Sequence, residues 1–419
     1  MPDLDQLRAA ALRNGQRRTV DAGAIVALLL MSGWLAESRG PAAGAAESAA
    51  RALLGELVAA GLPTSADGRF DPTEVIGLLV VEGMGGSCDA WESHYVATGR
   101  RLVRALAGAA DGAIPNVATL PPRRFAVHVS RTFAVAHVPA GQRLRLRMPL
   151  PIEDAHLTDL KVRIAGSEAA VTITPGRIEA QWLATGAPAV TLYAQLWFTA
   201  SPGLPHGRDE GPDEIARWTG ARDGMVALSP RIAALAERWS EAGASTLDQV
   251  HRLRDRLIDG FACGPIHADR IPPRTAPDWV LDNGWYDCRA GALLLVALCR
   301  ARGIPARLIG GILLWDAPTE HYWMEAWIAG MGWTPFDLLA WDLSAGGRDR
   351  DWRGLFAGAI DYRMKTQIFP DIFTGAPGVP MGRAWHRLPR AIPGGSETRF
   401  VSADDGAPVF TDTIRILTA

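Results

Sequence analysis

The chain has 419 residues, a length that leaves room for roughly two to four domains. Apolar residues make up 48% of the sequence, which predicts folded cores and excludes a largely disordered protein. The formal net charge is −2 and the pI is about 6.5, so the chain offers no excess of positive charge for binding nucleic acid.

The cysteine content predicts reduced thiols. No two of the four cysteines form a CxxC pair, and four cysteines in 419 residues are too few for a disulfide framework. Cysteines and histidines also lack the paired spacing of a zinc site, so we predict no metal. We expect a cytoplasmic protein that uses no cofactor.

One apolar stretch, residues 22 to 35, needs a separate explanation. It is shorter than the about 20 residues that a membrane-spanning helix requires. A signal peptide would begin with basic residues, but Asp3, Asp5 and Asp21 lie in or next to this part of the chain. We therefore predict a buried helix, with no export and no membrane association.

Taken in order, residues 1–118 are predicted to form a helical N-terminal domain. Alanine-rich stretches there carry apolar residues at helical spacing, and Asp71 followed by Pro72 is typical of a helix start. Residues 122–200 alternate instead between polar and apolar side chains, most clearly from Arg143 to Met148. We predict an antiparallel β-sandwich or barrel domain for residues 122–200.

The rest of the chain is predicted to be mixed α and β. Residues 201 to 222 are rich in proline, glycine and charge, which predicts a linker. A domain of residues 223–345 follows, in which Thr246 and Gln249 match a capping box at the start of a helix. Residues 346–419 are predicted to be a C-terminal extension that packs on this domain. The expected fold class is α+β.

A cysteine marks the start of the most apolar helix. Residues 291 to 301 are apolar on nearly every side, and Gly303 followed by Ile304–Pro305 ends the helix. Cys288 therefore lies at the N-terminus of a buried helix. There the helix dipole and free amides favour a thiolate and can hold an oxyanion.

Two extended segments after this helix supply a base and a carboxylate. His321 begins one predicted strand, and Asp337 follows a turn and a second extended segment. An aspartate beside a histidine can fix the imidazole tautomer and stabilise the imidazolium after the thiol proton has moved. Each residue alone has an ordinary structural explanation, but the order Cys, His, Asp, each at an element end, indicates catalysis.

The same residues carry a family resemblance. The segment Trp285–Tyr286–Asp287–Cys288, with Gly303–Ile304–Pro305 downstream, resembles the nucleophile motif of the transglutaminase-like superfamily. The runs that begin at His321 and end at Asp337 resemble its histidine and aspartate motifs, and the three positions are separated by 33 and 16 residues. This resemblance implies a papain-like or transglutaminase-like catalytic core in residues 223–345, with Cys288 as nucleophile, His321 as base and Asp337 as its orienting group.

The resemblance also suggests further site residues. Trp279, Trp285 and Tyr286 are candidates for oxyanion or substrate contacts, although each could equally be packing. Glu325 and Trp333 are expected to support the histidine–aspartate geometry. The family often has a small residue where this chain has Tyr286, and a small or aromatic residue where it has Arg289, which leaves substrate preference open.

A triad of this kind implies a thioester intermediate on the cysteine. The preferred specific hypothesis is release of a polyketide–peptide chain, bound to an acyl or peptidyl carrier protein, by Dieckmann cyclisation to a tetramate or pyridone in antibiotic biosynthesis. The extra helical domain and the apolar, arginine-rich composition favour it. An intracellular cysteine peptidase or amidase and an amide-forming acyltransferase remain alternatives. A non-catalytic binding protein is least favoured, because all three triad positions are filled.

Overall fold

The computed structural model describes residues 19–32, 43–62, 64–72, 74–75, 78–79, 117–164, 170–174, 176–205, 210–220, 226–263, 276–314, 318–338, 356–369, 385–402 and 408–417. These residues combine helices with mainly antiparallel sheets around two apolar cores, as an α+β fold does. The expected fold class is confirmed.

The N-terminal part contains α1 (Ala22–Ser32) and α2 (Ala43–Ala59), which pack against each other. Helix α1 covers most of the apolar stretch noted in the sequence, and Ile25 and Leu29 on it are fully buried. The prediction of a buried helix there is confirmed. Residues 1–18, 33–42 and 80–116 of the predicted helical domain lie outside the described residues. Of the helices that are described, none is both long and apolar enough to cross a membrane.

The strands of the β region form two facing sheets. They are β1 (Arg123–Ala134), β2 (Arg143–Pro149), β3 (Leu157–Ile164), β4 (Ala170–Thr174), β5 (Arg177–Leu183) and β6 (Ala189–Ala200). Strands β2, β5 and β4 form a three-stranded antiparallel sheet, and β1, β6 and β3 belong to a six-stranded one. The apolar positions of both sheets meet in one core, because alternate side chains along each strand face the same side.

Residues 346–419, predicted to pack on the catalytic core, are divided between two sheets: residues 363–368 pair with a strand of the core, and the last three strands lie elsewhere. Strands β13 (Trp385–Ile392), β14 (Gly395–Ser402) and β15 (Pro408–Leu417) complete the six-stranded sheet, in the order β13–β14–β15–β1–β6–β3. These last three strands therefore belong to the β region. The physical reason is that β6 occupies only one edge of β1; β15 pairs along the other edge, and Arg131 and Asp412 form a two-point ion pair across it.

The remaining elements surround a four-stranded sheet. The helices are α3 (Pro212–Ala216), α4 (Pro230–Trp239), α5 (Thr246–Gly260), α6 (Ala276–Asn283) and α7 (Cys288–Ala301). The strands are β7 (Ala262–Cys263), β8 (Trp285–Tyr286), β9 (Ala306–Leu313), β10 (Thr319–Ile328), β11 (Gly332–Phe336) and β12 (Arg363–Ile368). The sheet order is β11–β10–β9–β12, and α7 packs against β9 and β10. The predicted central helix is confirmed, because every residue of α7 up to Arg300 is buried.

Two local predictions need correction. The N-cap of α5 is Ser245, whose hydroxyl accepts from the Asp248 amide, so the capping pair lies one residue before the predicted one. The segment predicted as a linker packs against the core: Trp218 is only 2% exposed and lies edge-on to Trp333. Proline, glycine and charge dominate this segment, but one large aromatic side chain is enough to anchor it.

Buried charges join the catalytic sheet to the β region. The Lys365 ammonium lies 2.7 Å from a carboxylate oxygen of Asp154 and 2.7 Å from one of Glu325. Glu325 also pairs with Arg307 at 2.7 Å. Because these groups are nearly out of contact with water, each charge depends on its partners. The cluster therefore fixes β12 to both β10 and the loop before β3.

The close approach at Gly311 gives a stability test. A Cβ there would lie 2.4 Å from the Met364 carbonyl oxygen and 2.7 Å from the Trp323 ring, so Gly311→Ala forces backbone to move. We expect it to lower the free energy of unfolding by about 1–3 kcal/mol in denaturant titrations. Gly55→Ala is the matched control, because nothing lies within 4 Å of that position in α2, and it should stabilise by about 0.5–1 kcal/mol. Equal effects of the two changes would contradict this packing.

Candidate active site

The helix α7 begins at the candidate nucleophile because Asp287 caps it. The Asp287 carboxylate accepts from the Ala290 amide at 2.7 Å, and its carbonyl accepts from the Gly291 amide at 2.9 Å. A capping side chain ends the preceding extended segment and fixes the first helical residue. Since Asp287 uses the amides of Ala290 and Gly291, those of Cys288 and Arg289 are the donors at the helix start closest to the thiol.

Exposure separates Cys288 from the other described cysteines. Cys288 is 8% exposed, whereas Cys263 is 1% and Cys299 0% exposed. Burial raises the pKa of the Cys299 thiol to about 12, so that thiol stays protonated and unreactive. Cys288 is therefore the described thiol that a reactant can reach. Cys88 lies outside the described residues.

The structure brings Cys288, His321 and Asp337 together. His321, on β10, has its Nε2 2.7 Å from Oδ2 of Asp337, the residue that follows β11. Both side chains are buried. Because Asp337 occupies Nε2, the ring nitrogen that remains for the thiol is Nδ1.

The electrostatics favour a protonated imidazole. Burial lowers the pKa of His321, but the charges of Asp337 and Cys288 and the hydrogen bonds to both raise it to about 9. The site therefore holds an imidazolium next to the thiol at neutral pH. An imidazolium beside a thiol stabilises the thiolate, which is the nucleophilic form.

Arginines immobilise Asp337 on several sides. Nη1 of Arg363, on β12, lies 2.5 Å from the same Oδ2 that contacts His321. Nε and Nη2 of Arg254, on α5, both donate to the Asp337 carbonyl at 3.2 Å. The Asp337 amide in turn donates to the Phe356 carbonyl at 2.9 Å. Neither the side chain nor the backbone of Asp337 can move without breaking a buried hydrogen bond.

The Trp323 ring lies beside both cations. It stacks on His321 with a centroid distance of 6.5 Å and an interplanar angle of 19°. The Arg363 guanidinium carbon lies 5.1 Å from the centroid of the same ring. A tryptophan face attracts a cation, so the Trp323 ring favours the charged forms of both His321 and Arg363.

Sequence reasoning missed both arginines. Arg254 had a usable signal, because a charged residue stood on the apolar face of α5 between Leu253 and Leu257. Such a residue needs a buried partner. Arg363 had no local signal, since its partner Asp337 is 26 residues earlier in the chain and on another element.

The predicted oxyanion candidates lie around the helix start. Trp285 and Tyr286, on β8, are fully buried, and Tyr286 packs so closely on Gly291 that a Cβ there would lie 2.5 Å from its ring. Trp279 is partly buried against the same core. The Trp285 indole N–H is buried and has no acceptor among the described residues.

Glu325 and Trp333 lie one layer away from the triad. Glu325 pairs with Arg307 and Lys365, as described above. The Trp333 indole donates to Glu210 at 2.8 Å, and the Arg307 guanidinium carbon lies 3.9 Å from its ring centroid. Together they anchor β10 and β11 to β9, which supports the strands that carry His321 and Asp337.

Comparison with known proteins gives one family match. The sequence model of the transglutaminase-like superfamily matches residues 233–338. Residues 233–338 are a transglutaminase-like domain. The matched segment includes Cys288, His321 and Asp337. No curated protein matches the chain significantly.

Solved structures give only distant similarity. A candidate cysteine protease from Cytophaga hutchinsonii is 15% identical, with a TM-score of 0.40; the alignment covers 71% of this chain and 99% of that one. The periplasmic domain of TgpA from Pseudomonas aeruginosa is 16% identical, with a TM-score of 0.32, covering 53% and 91%. Scores this low carry no argument about function, so the assignment of the transglutaminase-like domain depends on the sequence match.

Within the residues that the structure describes, no three His, Cys, Asp or Glu side chains converge as a metal site requires.

The raised pKa of His321 predicts a pH dependence. Its value of 6.5 in the unfolded chain rises to about 9 in the folded domain, so the protonated pair stabilises the fold fully below pH 6.5. That contribution disappears as the pH rises through about 9. We expect the rate of Cys288 acylation, measured by rapid mixing with an activated ester, to fall in the same range, because the imidazolium that protonates the leaving group is lost. A decline centred near pH 6.5 would contradict the pairing.

Arg363 gives a second test of the transglutaminase-like site. The substitution Arg363→Met removes a positive charge that lies close to both Asp337 and the imidazolium of His321. Because a neighbouring positive charge disfavours protonation, the pKa of His321 should rise further. We expect the alkaline limb of the acylation profile to move to higher pH. Unfolding should become easier by about 3–5 kcal/mol, because buried carboxylates lose their partner. Arg363→Lys, which keeps the charge, should restore most of the profile; an unchanged limb in Arg363→Met would contradict the coupling.

Proposed function

We propose that this protein is a cysteine-dependent acyl-transfer enzyme that forms a thioester on Cys288. The observation that carries the proposal is a thiol at a helix start, 8% exposed, beside an imidazole whose Nε2 lies 2.7 Å from a buried carboxylate and whose pKa is raised in part by the charge of Cys288. This is the constellation that activates a thiol for attack on a carbonyl.

The proposed reaction has two halves. The Cys288 sulfur attacks the acyl carbonyl, amides at the start of α7 stabilise the oxyanion, and His321 protonates the leaving group as the carbonyl re-forms. Acylation removes the thiolate charge that had raised the pKa of His321, so the neutral imidazole becomes easier to populate. It then takes a proton from the second nucleophile, which attacks the thioester and releases Cys288.

For the donor and acceptor, we propose chain release from a carrier protein. In this hypothesis an acyl or peptidyl carrier protein presents the thioester, and an acidic carbon of the chain attacks it in a Dieckmann cyclisation to a tetramate or pyridone. The support is the arginine-rich, apolar composition and the helical region before the common core. Buried residues of α1 and α2 belong to the same apolar cluster as α7, so this region is continuous with the catalytic core. Such a reaction belongs to secondary metabolism in the cytoplasm.

The nucleophile assignment is tested by two cysteine variants. Cys288→Ala should reduce turnover of an acyl thioester by about a thousandfold or more, since no other described thiol is reachable. Cys299→Ala is the matched control, because that thiol is buried in the same helix and protonated; it should keep near wild-type turnover. Loss of activity in the Cys299 variant alone would refute the assignment.

Product analysis tests the acceptor. A carrier-protein thioester of a β-ketoacyl amino acid is incubated with the enzyme, with and without an added amine, and the products are identified by mass spectrometry. Ring formation with release of the carrier thiol is the expected result. Free acid as the sole product would replace the cyclase hypothesis with a hydrolase, and amide formation would replace it with an amide synthase.

A further inference from the structure

The buried arginines of the described chain differ in their partners. Arg254 donates to the Asp337 carbonyl, Arg300 to the Ala306 carbonyl, Arg307 pairs with Glu325, and Arg363 with Asp337. Arg289 is equally buried, at 7% exposed. Among the described residues, no carboxylate or carbonyl oxygen lies within ion-pair or hydrogen-bond distance of its guanidinium. It is the one buried arginine among the described residues for which the structure shows no carboxylate or carbonyl partner.

The position of Arg289 connects it to the reaction. It directly follows Cys288 in α7, so its Cα lies about 3.8 Å from that of the nucleophile. Side chains of a helix tilt toward its N-terminus, which directs Arg289 to the end where the thiol lies. The nearest acid in sequence, Asp287, uses a carboxylate oxygen to cap the helix through the Ala290 amide.

We propose that Arg289 binds an anionic group, a carboxylate or a phosphate, of the acyl substrate next to the reacting carbonyl. A planar guanidinium binds both groups through paired hydrogen bonds, and the amides at the helix start add donors of the same sign. The low exposure of Arg289, 7%, limits screening by water and so strengthens the attraction. The substrate supplies the charge that the described chain does not. The proposal depends on Cys288 being the nucleophile, as argued above.

A pair of alkylating reagents tests anion binding without knowledge of the substrate. The Cys288 thiolate forms an S–C bond with iodoacetate or iodoacetamide, and iodide leaves with the electron pair of the broken C–I bond. The reagents differ in charge, so the ratio of their rates reports an anion site beside the sulfur. In Arg289→Gln we expect this ratio, iodoacetate over iodoacetamide, to fall on the order of tenfold. The iodoacetamide rate should stay close to the wild-type rate, which also shows that the variant is folded.

Two further variants serve as controls. Arg302→Gln removes an exposed arginine from the other end of the same helix and should leave the ratio unchanged. Arg289→Lys keeps a positive charge and should retain part of the preference. An unchanged ratio in Arg289→Gln would overturn the anion site. Failure of either reagent to modify Cys288 in the wild-type protein would instead overturn the proposed function.

Substrate analogues then separate the two sources of the anion. One pair is an acyl thioester of pantetheine with and without the 4′-phosphate; the other is an acyl chain ending in a carboxylate or in its methyl ester. If Arg289→Gln lowers kcat/KM selectively for the phosphate-bearing donor, the anion belongs to the carrier arm. A selective loss for the carboxylate assigns it to the acyl chain. Equal losses for charged and uncharged members of both pairs would overturn the proposal.

Discussion

A row of alternating charges holds the reactive groups in place. Asp361 contacts Arg363 at 2.8 Å, Arg363 contacts Asp337 at 2.5 Å, and Asp337 contacts His321 at 2.7 Å. The row ends beside Cys288, whose charge helps to raise the pKa of His321. In a buried site each charge is stable only while both neighbours stay in place. The protonation state of the imidazole is therefore set by residues well beyond the triad, and the reactivity of the thiol follows from it.

The fold assembles this row from separate parts of the chain. Helix α7 supplies Cys288, β10 supplies His321, the end of β11 supplies Asp337, and β12 supplies Arg363. Strand β12 also carries Lys365, which reaches Asp154 before β3. Residues of β9 and β12 that face away from the charges, Ile312 and Met364, belong to the apolar core of the β region. The β sandwich thus supports the strand that positions Asp337, so its packing contributes to the geometry of the site.

Local sequence patterns predicted the elements on which the reaction depends. The apolar run after Cys288 predicted α7 because such a run can only be buried, and the polar–apolar alternation from Arg143 to Met148 predicted β2. The position of β12 in the catalytic sheet could not be predicted, because charged residues such as Arg363 and Lys365 are normally expected on the surface. In the structure both side chains are buried. Their burial is explained only by Asp337, Asp154 and Glu325, which are distant in sequence. The pairing of β15 with β1 could not be predicted for the same reason, because the sequence of neither strand indicates which distant strand it pairs with.

The central claim is that Cys288 and His321 form one coupled unit, and the titration of His321 tests it most directly. Nuclear magnetic resonance of labelled histidine can follow this ring in the wild-type protein and in Cys288→Ala. We expect the His321 ring to stay protonated at neutral pH and to titrate at about 9 in the wild-type protein, with a lower pKa once the sulfur is removed. A His321 ring that titrates near 6.5 in both proteins would contradict the coupling and, with it, the proposed acyl-transfer chemistry.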